Sequence, residues 1–183
     1  MIFNSLSLQG AFTIDVEPFE DNRGFFTRIF CEKEFAKHDL VQHFVQANHS
    51  GTRGSGVIRG MHFQHMPHGE VKLVKCVQGA IFDVIIDIRK GSPTFLQWFG
   101  AELTAENKRM MYVPAGFGHG FQSISDYSEI TYMVSNFYNK ESEGGIRYND
   151  AAVNISWPVP VSLVSDKDLK IPLITPAFRG VEM

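Results

Sequence analysis

Apolar and polar side chains alternate along the middle of the chain, as they do in β-strands with one buried face. In the segment VKLVKCVQG, Lys72 shares one strand face with the apolar residues Val74 and Cys76. In the following segment, AIFDVIIDIRKG, four large apolar residues share one face, and two aspartates, Asp83 and Asp87, lie on the other. A period of two with one strongly apolar side predicts two consecutive strands here.

Turn sequences divide the rest of the central region into further short segments of the same kind. RKGSPT, TAEN, VPAGFG and SISDYS are rich in residues that favour turns. Between them the pattern predicts strands at residues 94–103, 109–114, 119–125 and 129–137. Helices are predicted only at residues 31–40 and in the segment SDKDLK near the end.

Many short strands about ten residues apart, with few helices, are typical of a β-sandwich or β-barrel. The chain has 183 residues and shows no internal repeat, low-complexity tract or linker. We therefore expect a single all-β domain that spans residues 1–183.

Composition and charge narrow the class of protein. Hydrophobic residues make up 44% and charged residues 20%, as in ordinary globular proteins, and a net charge of −3 gives no reason to expect nucleic-acid binding. No apolar run approaches the ~20 residues that a membrane-spanning helix needs. The two cysteines, Cys31 and Cys76, form no disulfide framework, and the N-terminus lacks the basic start of a signal peptide. We expect a cytoplasmic protein without membrane or nucleic-acid partners.

The segment GVIRGMHFQHMPHGEVKLVKCVQG concentrates groups that could bind a metal ion. His62, His65, His68 and Glu70 lie close together, and Lys72 follows them. His65 and His68 belong to a stretch with Pro and Gly, which predicts an exposed loop. Spacing alone leaves open whether the other groups bind a metal ion.

Four polar residues stand out on segments that are otherwise apolar: His62, Lys72, His119 and Tyr132. Each has a structural interpretation when it is taken alone. A histidine or tyrosine in a strand is often a core residue, and a lysine can extend to solvent. Because inward polar groups cost free energy unless they are paired, the combination predicts one interior pocket that several strands reach.

The segment VPAGFGH resembles the second half of the signature of the cupins, a superfamily of jelly-roll proteins, and therefore implies a cupin-type jelly roll. In metal-binding cupins, two histidines and a glutamate of the first half join the second-half histidine around the metal. Here Gln64 stands at the position of the second histidine and Lys72 at that of the glutamate. Only His62 and His119 remain, and an ammonium repels a cation, so we expect no metal.

Ten fragments extend the resemblance from superfamily to family. They are DNRGFF, NHS, GVIRGMHFQ, KLV, GSPTFLQW, ELTAENKRMMYVPAGFGHGF, SEITYMV, GIRYND, ISWP and SDKD. Their order and spacing over nearly the whole chain are similar to those of the dTDP-4-dehydrorhamnose 3,5-epimerase family. The resemblance implies an isomerase that uses no cofactor or metal. It would invert stereocentres beside the ketone of a nucleotide-linked 4-keto-6-deoxyhexose, at C3, C5 or both.

The resemblance also implies catalytic roles for four residues. His62 matches the family's general base, which removes a proton next to the carbonyl. Asp168 matches the carboxylate that orients this histidine and stabilises its imidazolium form. Lys72 would stabilise the enolate oxygen. Tyr132 would supply a proton from the opposite face, which turns deprotonation into inversion.

Substrate contacts are implied at further positions. Arg23 and Arg59 resemble contacts to the diphosphate and the sugar, a role that suits a forked guanidinium. Tyr138 matches the aromatic residue that stacks on the nucleotide base. The remaining family contacts match Gln46, Asn48, His119, Glu143 and Lys167. The family forms homodimers in which residues near Phe26 help to complete the neighbouring subunit's site.

Two positions depart from the family's pattern. The family usually has a glutamate where this chain has Arg28, and it often has an aspartate where this chain has Ala47. Thymine offers an N–H donor, whereas Arg28 favours an acceptor-rich base such as cytosine or guanine, or an additional phosphate contact. We therefore keep a CDP- or GDP-linked ketosugar as an alternative substrate, beside the interpretation that Arg28 is a tolerated surface change. Epimerisation at one centre only is a second alternative.

Two other classes of function remain open at this point. A metal-dependent cupin enzyme would use His119 together with His62 or the acid and histidines that follow it, and would contain iron, zinc or manganese. A sugar-nucleotide binder without activity would explain a pocket, but not a His–Asp pair with a tyrosine opposite.

Overall fold

The alternating segments form strands throughout the computed structural model, which describes residues 1–183. The fourteen strands are β1 (Ile2–Ser5), β2 (Phe12–Asp15), β3 (Phe19–Asp21), β4 (Gly24–Phe26), β5 (Gln46–Arg53), β6 (Val57–Gln64), β7 (Lys72–Gln78), β8 (Ala80–Asp87), β9 (Trp98–Thr104), β10 (Met110–Val113), β11 (Phe117–Ser123), β12 (Tyr127–Val134), β13 (Glu143–Gly145) and β14 (Leu163–Val164). The helices are α1 (Glu32–Ala36), α2 (Asp166–Leu169) and a 3₁₀ turn at Lys140–Ser142. None of them is long and apolar enough to span a membrane.

Two large sheets contain most of the strands. The first sheet has the order β1-β2-β10-β7-β12-β5, and the second has the order β13-β6-β11-β8-β9. Neighbouring strands within both orders are antiparallel, and β14 adds a short parallel pairing to β6. The strands β3 and β4 form a separate hairpin. This antiparallel architecture confirms the predicted all-β class.

The hydrophobic core lies in three layers. The central layer joins both sheets, for example Val74 and Ile130 of the first sheet with Ile85 and Phe121 of the second. A second layer covers the outer face of the first sheet, where the fully buried Phe35 of α1 packs among its apolar residues. A third layer covers the outer face of the second sheet with residues from the C-terminal part of the chain. Each sheet is therefore apolar on both faces.

Strand β8 shows the consequence of this double covering. Its sequence pattern predicts one apolar face opposite two aspartates, but the structure buries both faces. Ile85 packs in the central layer, on the same face as Asp83 and Asp87, and both aspartates are fully buried. Buried carboxylates need hydrogen-bond partners, so each must meet a specific donor inside the fold.

The predicted strand and helix positions are confirmed, with shifted ends. The segment predicted as a strand from residue 94 begins only at Trp98, because the hydroxyls of Ser92 and Thr94 donate to Asp87 and hold a turn before it. The helix predicted at residues 31–40 is shorter, because the chain leaves the helical conformation by Asp39, which has a φ of 56°.

Candidate active site

A β-bulge sets the inward face of β6. His62 lies opposite His119 of β11, and Arg59 lies opposite the residue two positions further along β11, so β6 contains one extra residue between the two pairs. Gly60 occupies this bulge with a φ of +119°, and a Cβ there would lie 2.7 Å from Gly120 Cα. The bulge brings Arg59 and His62, three residues apart, to the same face of the strand.

The first sheet supplies the facing wall. Tyr132 of β12 pairs with Asn48 of β5, and Lys72 and Gln46 pair with the position two residues further along β12. Because residues two apart on a strand share a face, these four side chains face the second sheet. Ala47 lies between two of them in sequence and therefore faces away from the interior.

These walls enclose a continuous cavity. A volume of about 360 Å³ is lined by Gln46, Asn48, His62, Gln64, Glu70, Lys72, Tyr132, Tyr138 and Glu143, among others. A deeper volume of about 150 Å³ shares His62, Lys72 and Tyr132 with it and adds Arg59 and His119. A third volume extends from His62 and Glu143 towards Lys167. The structure thus brings together the polar residues that the sequence predicts for one interior pocket.

His62 is held by a carboxylate from a distant part of the chain. Its Nε2 lies 2.6 Å from Asp168 Oδ1, and the backbone N–H of Gly60 donates to the other oxygen of Asp168 at 3.4 Å. Burial acts to raise the pKa of Asp168, but the hydrogen bond and charge of His62 outweigh it, so that pKa lies below its usual value. A carboxylate only accepts hydrogen bonds, so Nε2 carries the proton and Nδ1 is left as the basic nitrogen.

Helix α2 places this carboxylate. The hydroxyl of Ser165 accepts a hydrogen bond from the backbone N–H of Asp168 at 3.1 Å and caps the N-terminus of the helix. The side chain of Asp168 is 5% exposed, whereas that of His62 is 34% exposed. The pair therefore has a buried anchor and an accessible imidazole.

His119 forms a second histidine–carboxylate pair on the neighbouring strand. Its Nε2 lies 2.8 Å from Asp83 Oδ1, and both side chains are buried. The inward position of Asp83 on β8 explains why that strand has an acid on a buried face. The ring of His119 borders the deeper part of the cavity beside Arg59.

Lys72 and Tyr132 complete the charged groups of the cavity. Lys72 Nζ lies 3.2 Å from Glu70 Oε1, and both side chains are 12% exposed. Burial and the charge of Glu70 raise the pKa of Tyr132, and the charge of Arg59 partly offsets this rise. Tyr132 is therefore a protonated phenol at neutral pH, and it can donate a proton.

The positions that bind metal in related folds carry other functions here. The Gln64 side chain accepts from the backbone N–H of Asn139 at 2.6 Å and donates to the carbonyl oxygen of His68 at 3.0 Å, so it joins two loops. His65 and His68 lie in the loop after β6, as predicted. No three His, Cys, Asp or Glu side chains are placed to bind a metal ion. An amide and an ammonium are poor ligands for a divalent cation, and the absence of a metal requirement stays a prediction.

The mouth of the cavity carries an aromatic side chain and an ion pair. Tyr138 is 60% exposed, and its hydroxyl donates to Glu143 Oε2 at 3.2 Å. Lys167 Nζ donates to the other oxygen of Glu143 at 2.5 Å. Burial acts to raise the pKa of Glu143, but Lys167 outweighs it and the pKa is lowered. An exposed ring beside a lysine suits a ligand with a flat base and phosphates.

Comparison with known proteins identifies the family. The family model described as dTDP-4-dehydrorhamnose 3,5-epimerase matches residues 5–175. A relative of that name from Shigella flexneri is 49% identical over 152 residues, which are 82% of this chain and 83% of the relative. This chain belongs to the dTDP-4-dehydrorhamnose 3,5-epimerase family.

Solved structures of the family share the fold. The crystal structure of dTDP-4-dehydrorhamnose 3,5-epimerase from Elizabethkingia anophelis has a TM-score of 0.92 and 40% identity, and the match covers 97% of this chain and 98% of that one. The Legionella pneumophila enzyme, solved in complex with dTDP-4-keto-L-rhamnose, has a TM-score of 0.88 and 37% identity, with 94% and 92% covered. These matches confirm the predicted cupin-type jelly roll and the assignment as an isomerase that acts on sugar nucleotides.

Three predicted substrate contacts of this epimerase lie apart from the cavity within one chain. Arg23 is exposed in the β3–β4 hairpin and pairs with Asp21 at 2.6 Å. Phe26, in the same hairpin, is 69% exposed. Arg28 is also exposed, and its guanidinium lies 4.0 Å from Glu34. A single chain does not bring these residues to the other eleven predicted positions.

Sequence reasoning missed the roles of two acids. The sequence pattern indicates Glu70 only as a possible metal ligand, although a spacing of two residues from Lys72 favours the same side of an extended chain. For Asp83 the pattern predicts only a place on a strand face, and no local signal relates it to His119. The spacing of Glu70 could have been used, whereas the contact of Asp83 required the strand pairing of β8 and β11.

Proposed function

We propose that this epimerase inverts C3 and C5 of dTDP-4-dehydro-6-deoxyglucose, giving dTDP-4-dehydrorhamnose. The observation that carries this proposal is the placement of a basic imidazole and a protonated phenol on facing sheets of one cavity, with an ammonium beside the phenol. His62 belongs to β6 of the second sheet, and Tyr132 and Lys72 belong to β12 and β7 of the first sheet. Groups on opposite sides of a bound sugar can remove and return a proton on opposite faces.

The reaction begins with proton removal beside the C4 ketone. Nδ1 of His62 takes the proton from the adjacent carbon, and the electron pair of that C–H bond moves to form an enolate. A positioned base of this kind contributes about 10²–10⁴-fold in rate. The imidazolium that results is stabilised by Asp168, 2.6 Å away.

The enolate is then stabilised and protonated from the other side. The Lys72 ammonium would face the developing oxyanion, and removal of one such donor typically costs about 3–4 kcal/mol of barrier. Tyr132 gives its proton to the carbon from the face opposite His62, and the ketone reforms with the inverted configuration. The tyrosinate regains a proton from solvent, and the imidazolium loses its own.

The mouth of the cavity would bind the nucleotide. Tyr138 offers its exposed ring to the base, and Lys167 offers an ammonium to the diphosphate. Arg59 and His119, deeper in the cavity, would contact the sugar or its phosphates. Gln46, Asn48 and Glu143 would complete the polar wall around the sugar.

We propose that the chain acts as a homodimer of one-domain subunits in the cytoplasm. The support for a dimer is the β3–β4 hairpin, in which Phe19, Phe25 and Phe26 are 69%, 58% and 69% exposed. Such an apolar group on a projecting hairpin suits a protein interface. In the dimer, Arg23, Phe26 and Arg28 would reach the partner's cavity. The two unpaired cysteines suit a reducing compartment.

A dTDP-linked substrate is favoured over a CDP- or GDP-linked one. The three relatives described above are named for dTDP sugars. Ala47 faces away from the cavity, so this departure from the family pattern does not change the cavity wall. Arg28 would reach the partner's cavity in the proposed dimer, and the comparison with CDP- and GDP-linked ketosugars below tests its effect.

The test is proton NMR of the purified, chelator-treated protein with dTDP-4-dehydro-6-deoxyglucose. We expect a product with ring coupling constants that report inversion at C3 and C5. Inversion at one position would define a single-centre enzyme. CDP- and GDP-linked ketosugars serve as matched substrates. Faster turnover of either would overturn the nucleotide assignment, and no turnover of all three would overturn the proposed function. A requirement for added metal would support a metal-dependent reaction instead.

A further inference from the structure

Four basic side chains that the proposed function uses each have their own carboxylate, whereas Arg59 donates to Thr52 and to the carbonyl oxygen of Gly51. The two histidines are paired with aspartates, and Lys167 is paired with Glu143. Lys72 follows the same arrangement, because its only acidic partner is Glu70 at 3.2 Å. The family resemblance assigns no role to Glu70 or to Asp83, and of these two only Glu70 lines the cavity.

The Glu70–Lys72 pair is almost enclosed within the cavity wall. Both side chains are only 12% exposed, and both line the cavity beside Tyr132. A nearly buried ammonium is unfavourable unless an opposite charge compensates for lost hydration. A four-carbon side chain also has many rotamers, so an unpaired Lys72 would not keep one position. Glu70 opposes both effects from two residues before Lys72, in the loop that leads into β7.

We propose that Glu70 is a positioning residue, which holds the Lys72 ammonium on the cavity wall where the substrate's enolate oxygen forms. This inference rests on the proposed function. Glu70 Oε1 is the atom that contacts the Lys72 ammonium.

The charge of Glu70 makes the inference testable. A carboxylate close to an enolate would repel it, so Glu70 can assist the reaction only through the ammonium that it holds. The titratable and charged groups that line the cavity together with Tyr132 are Glu70, Lys72, Arg59, His62, His119, Tyr138 and Glu143. Among these groups, only Glu70 should lose its effect on kcat when Lys72 is replaced.

A double-mutant cycle measures this dependence. The variants are Glu70→Ala, Glu70→Gln, Lys72→Met and the double variant Glu70→Ala/Lys72→Met, with kcat and KM determined separately. Glu102→Ala serves as the matched control, because Glu102 is an exposed carboxylate on β9. We expect Glu70→Ala to lower kcat by about 10- to 100-fold, as a small displacement of a catalytic group does. Glu70→Gln should recover most of this loss, because its amide oxygen still accepts from the ammonium.

The decisive comparison is made in the Lys72→Met background. There we expect Glu70→Ala to cause no further loss of kcat, so the two effects are not additive. The same fold-loss in both backgrounds would overturn the inference, as would wild-type kcat for Glu70→Ala. A loss of kcat that a lowered Tm explains completely would also overturn it. If the alanine variant folds poorly, the isosteric Glu70→Gln variant is used for this comparison instead. Failure of the proposed function would differ, because the wild-type protein itself would then not convert the ketosugar.

Discussion

The two histidine–carboxylate pairs of this epimerase lie on neighbouring strands, yet they differ in access to the cavity. His62 and His119 face each other across the β6–β11 register. The side chain of His62 is 34% exposed and that of His119 is 8% exposed. The first pair can therefore exchange a proton with a substrate and with solvent. The second pair is enclosed and suits a fixed hydrogen bond to the ligand.

The two carboxylates also come from different structural elements. Asp83 comes from β8, which is hydrogen-bonded to the strand of His119, so that pair is part of the sheet itself. Asp168 comes from α2, 106 residues after His62, and it reaches the site beside the bulge at Gly60. Identical side-chain chemistry can thus serve catalysis in one place and binding in the other, according to exposure and to the element that carries the acid.

The largest effect is expected from replacing the accessible histidine. His62→Asn should lower kcat by about 10²–10⁴-fold while inhibition by dTDP stays unchanged, because the base is lost and the nucleotide contacts remain. His119→Asn is the matched substitution and should act mainly on KM. Steady-state kinetics of both variants would check this difference. Equal losses of kcat would show that the two pairs do not have separate roles.

Replacement of the two carboxylates should also have different consequences, with smaller effects than replacement of His62. Asp168→Asn should lower kcat by about 10²-fold, since the imidazolium loses its stabilising charge and its tautomer is no longer fixed. Asp83→Asn should instead lower the free energy of unfolding by about 1–3 kcal/mol, because its amide nitrogen would replace a buried oxygen that has no donor or acceptor nearby. Thermal unfolding, with Tm shifts of about 2–4 °C per kcal/mol, and kcat would be measured on both variants. A stability loss confined to Asp168→Asn would reverse this assignment.

The smallest effect on turnover is expected at Asp87, a carboxylate with a purely structural position. Burial acts to raise the pKa of Asp87, but Arg89, Ser92 and Thr94 outweigh it and lower that pKa to about 2. A pKa lowered by folding adds stability above the unfolded value, and this stability is lost as the pH falls from about 4 through 2. The contribution is about 2 kcal/mol.

Urea unfolding at several acidic pH values would detect this contribution of Asp87 to the free energy of unfolding. Asp87→Asn should be less stable than the wild type at neutral pH, and the difference should shrink below pH 4. Turnover per folded molecule at neutral pH should match the wild type. A stability difference that is independent of pH would contradict the assigned cause.

The sequence predicted the fold where one simple pattern decided the structure. Alternation placed β7 and β12 correctly, including the shared face of Lys72 with Val74. Alternation failed at the bulge in β6, where a period of two puts Arg59 and His62 on opposite faces. A single residue inserted into a strand reverses the faces beyond it, and only strand pairing reveals it.

The candidate site was predicted only in part for a related reason. The resemblance supplied the residues of the walls, and the structure places eleven of the fourteen around one cavity. Glu70 and Asp83 came from three-dimensional contacts. Arg23, Phe26 and Arg28 belong to a region outside that cavity, so their role depends on a second copy of the chain, which periodicity cannot describe.

The most direct test of the central claim is deuterium incorporation at C3 and C5 of dTDP-4-dehydro-6-deoxyglucose in D₂O, followed by proton NMR. Wild-type enzyme should remove both signals and invert the centres. His62→Asn should remove neither signal at a comparable rate, whereas Tyr132→Phe should still exchange protons through His62 but lose inversion. Exchange by His62→Asn at the wild-type rate would contradict the assignment of His62 as the base that starts the reaction.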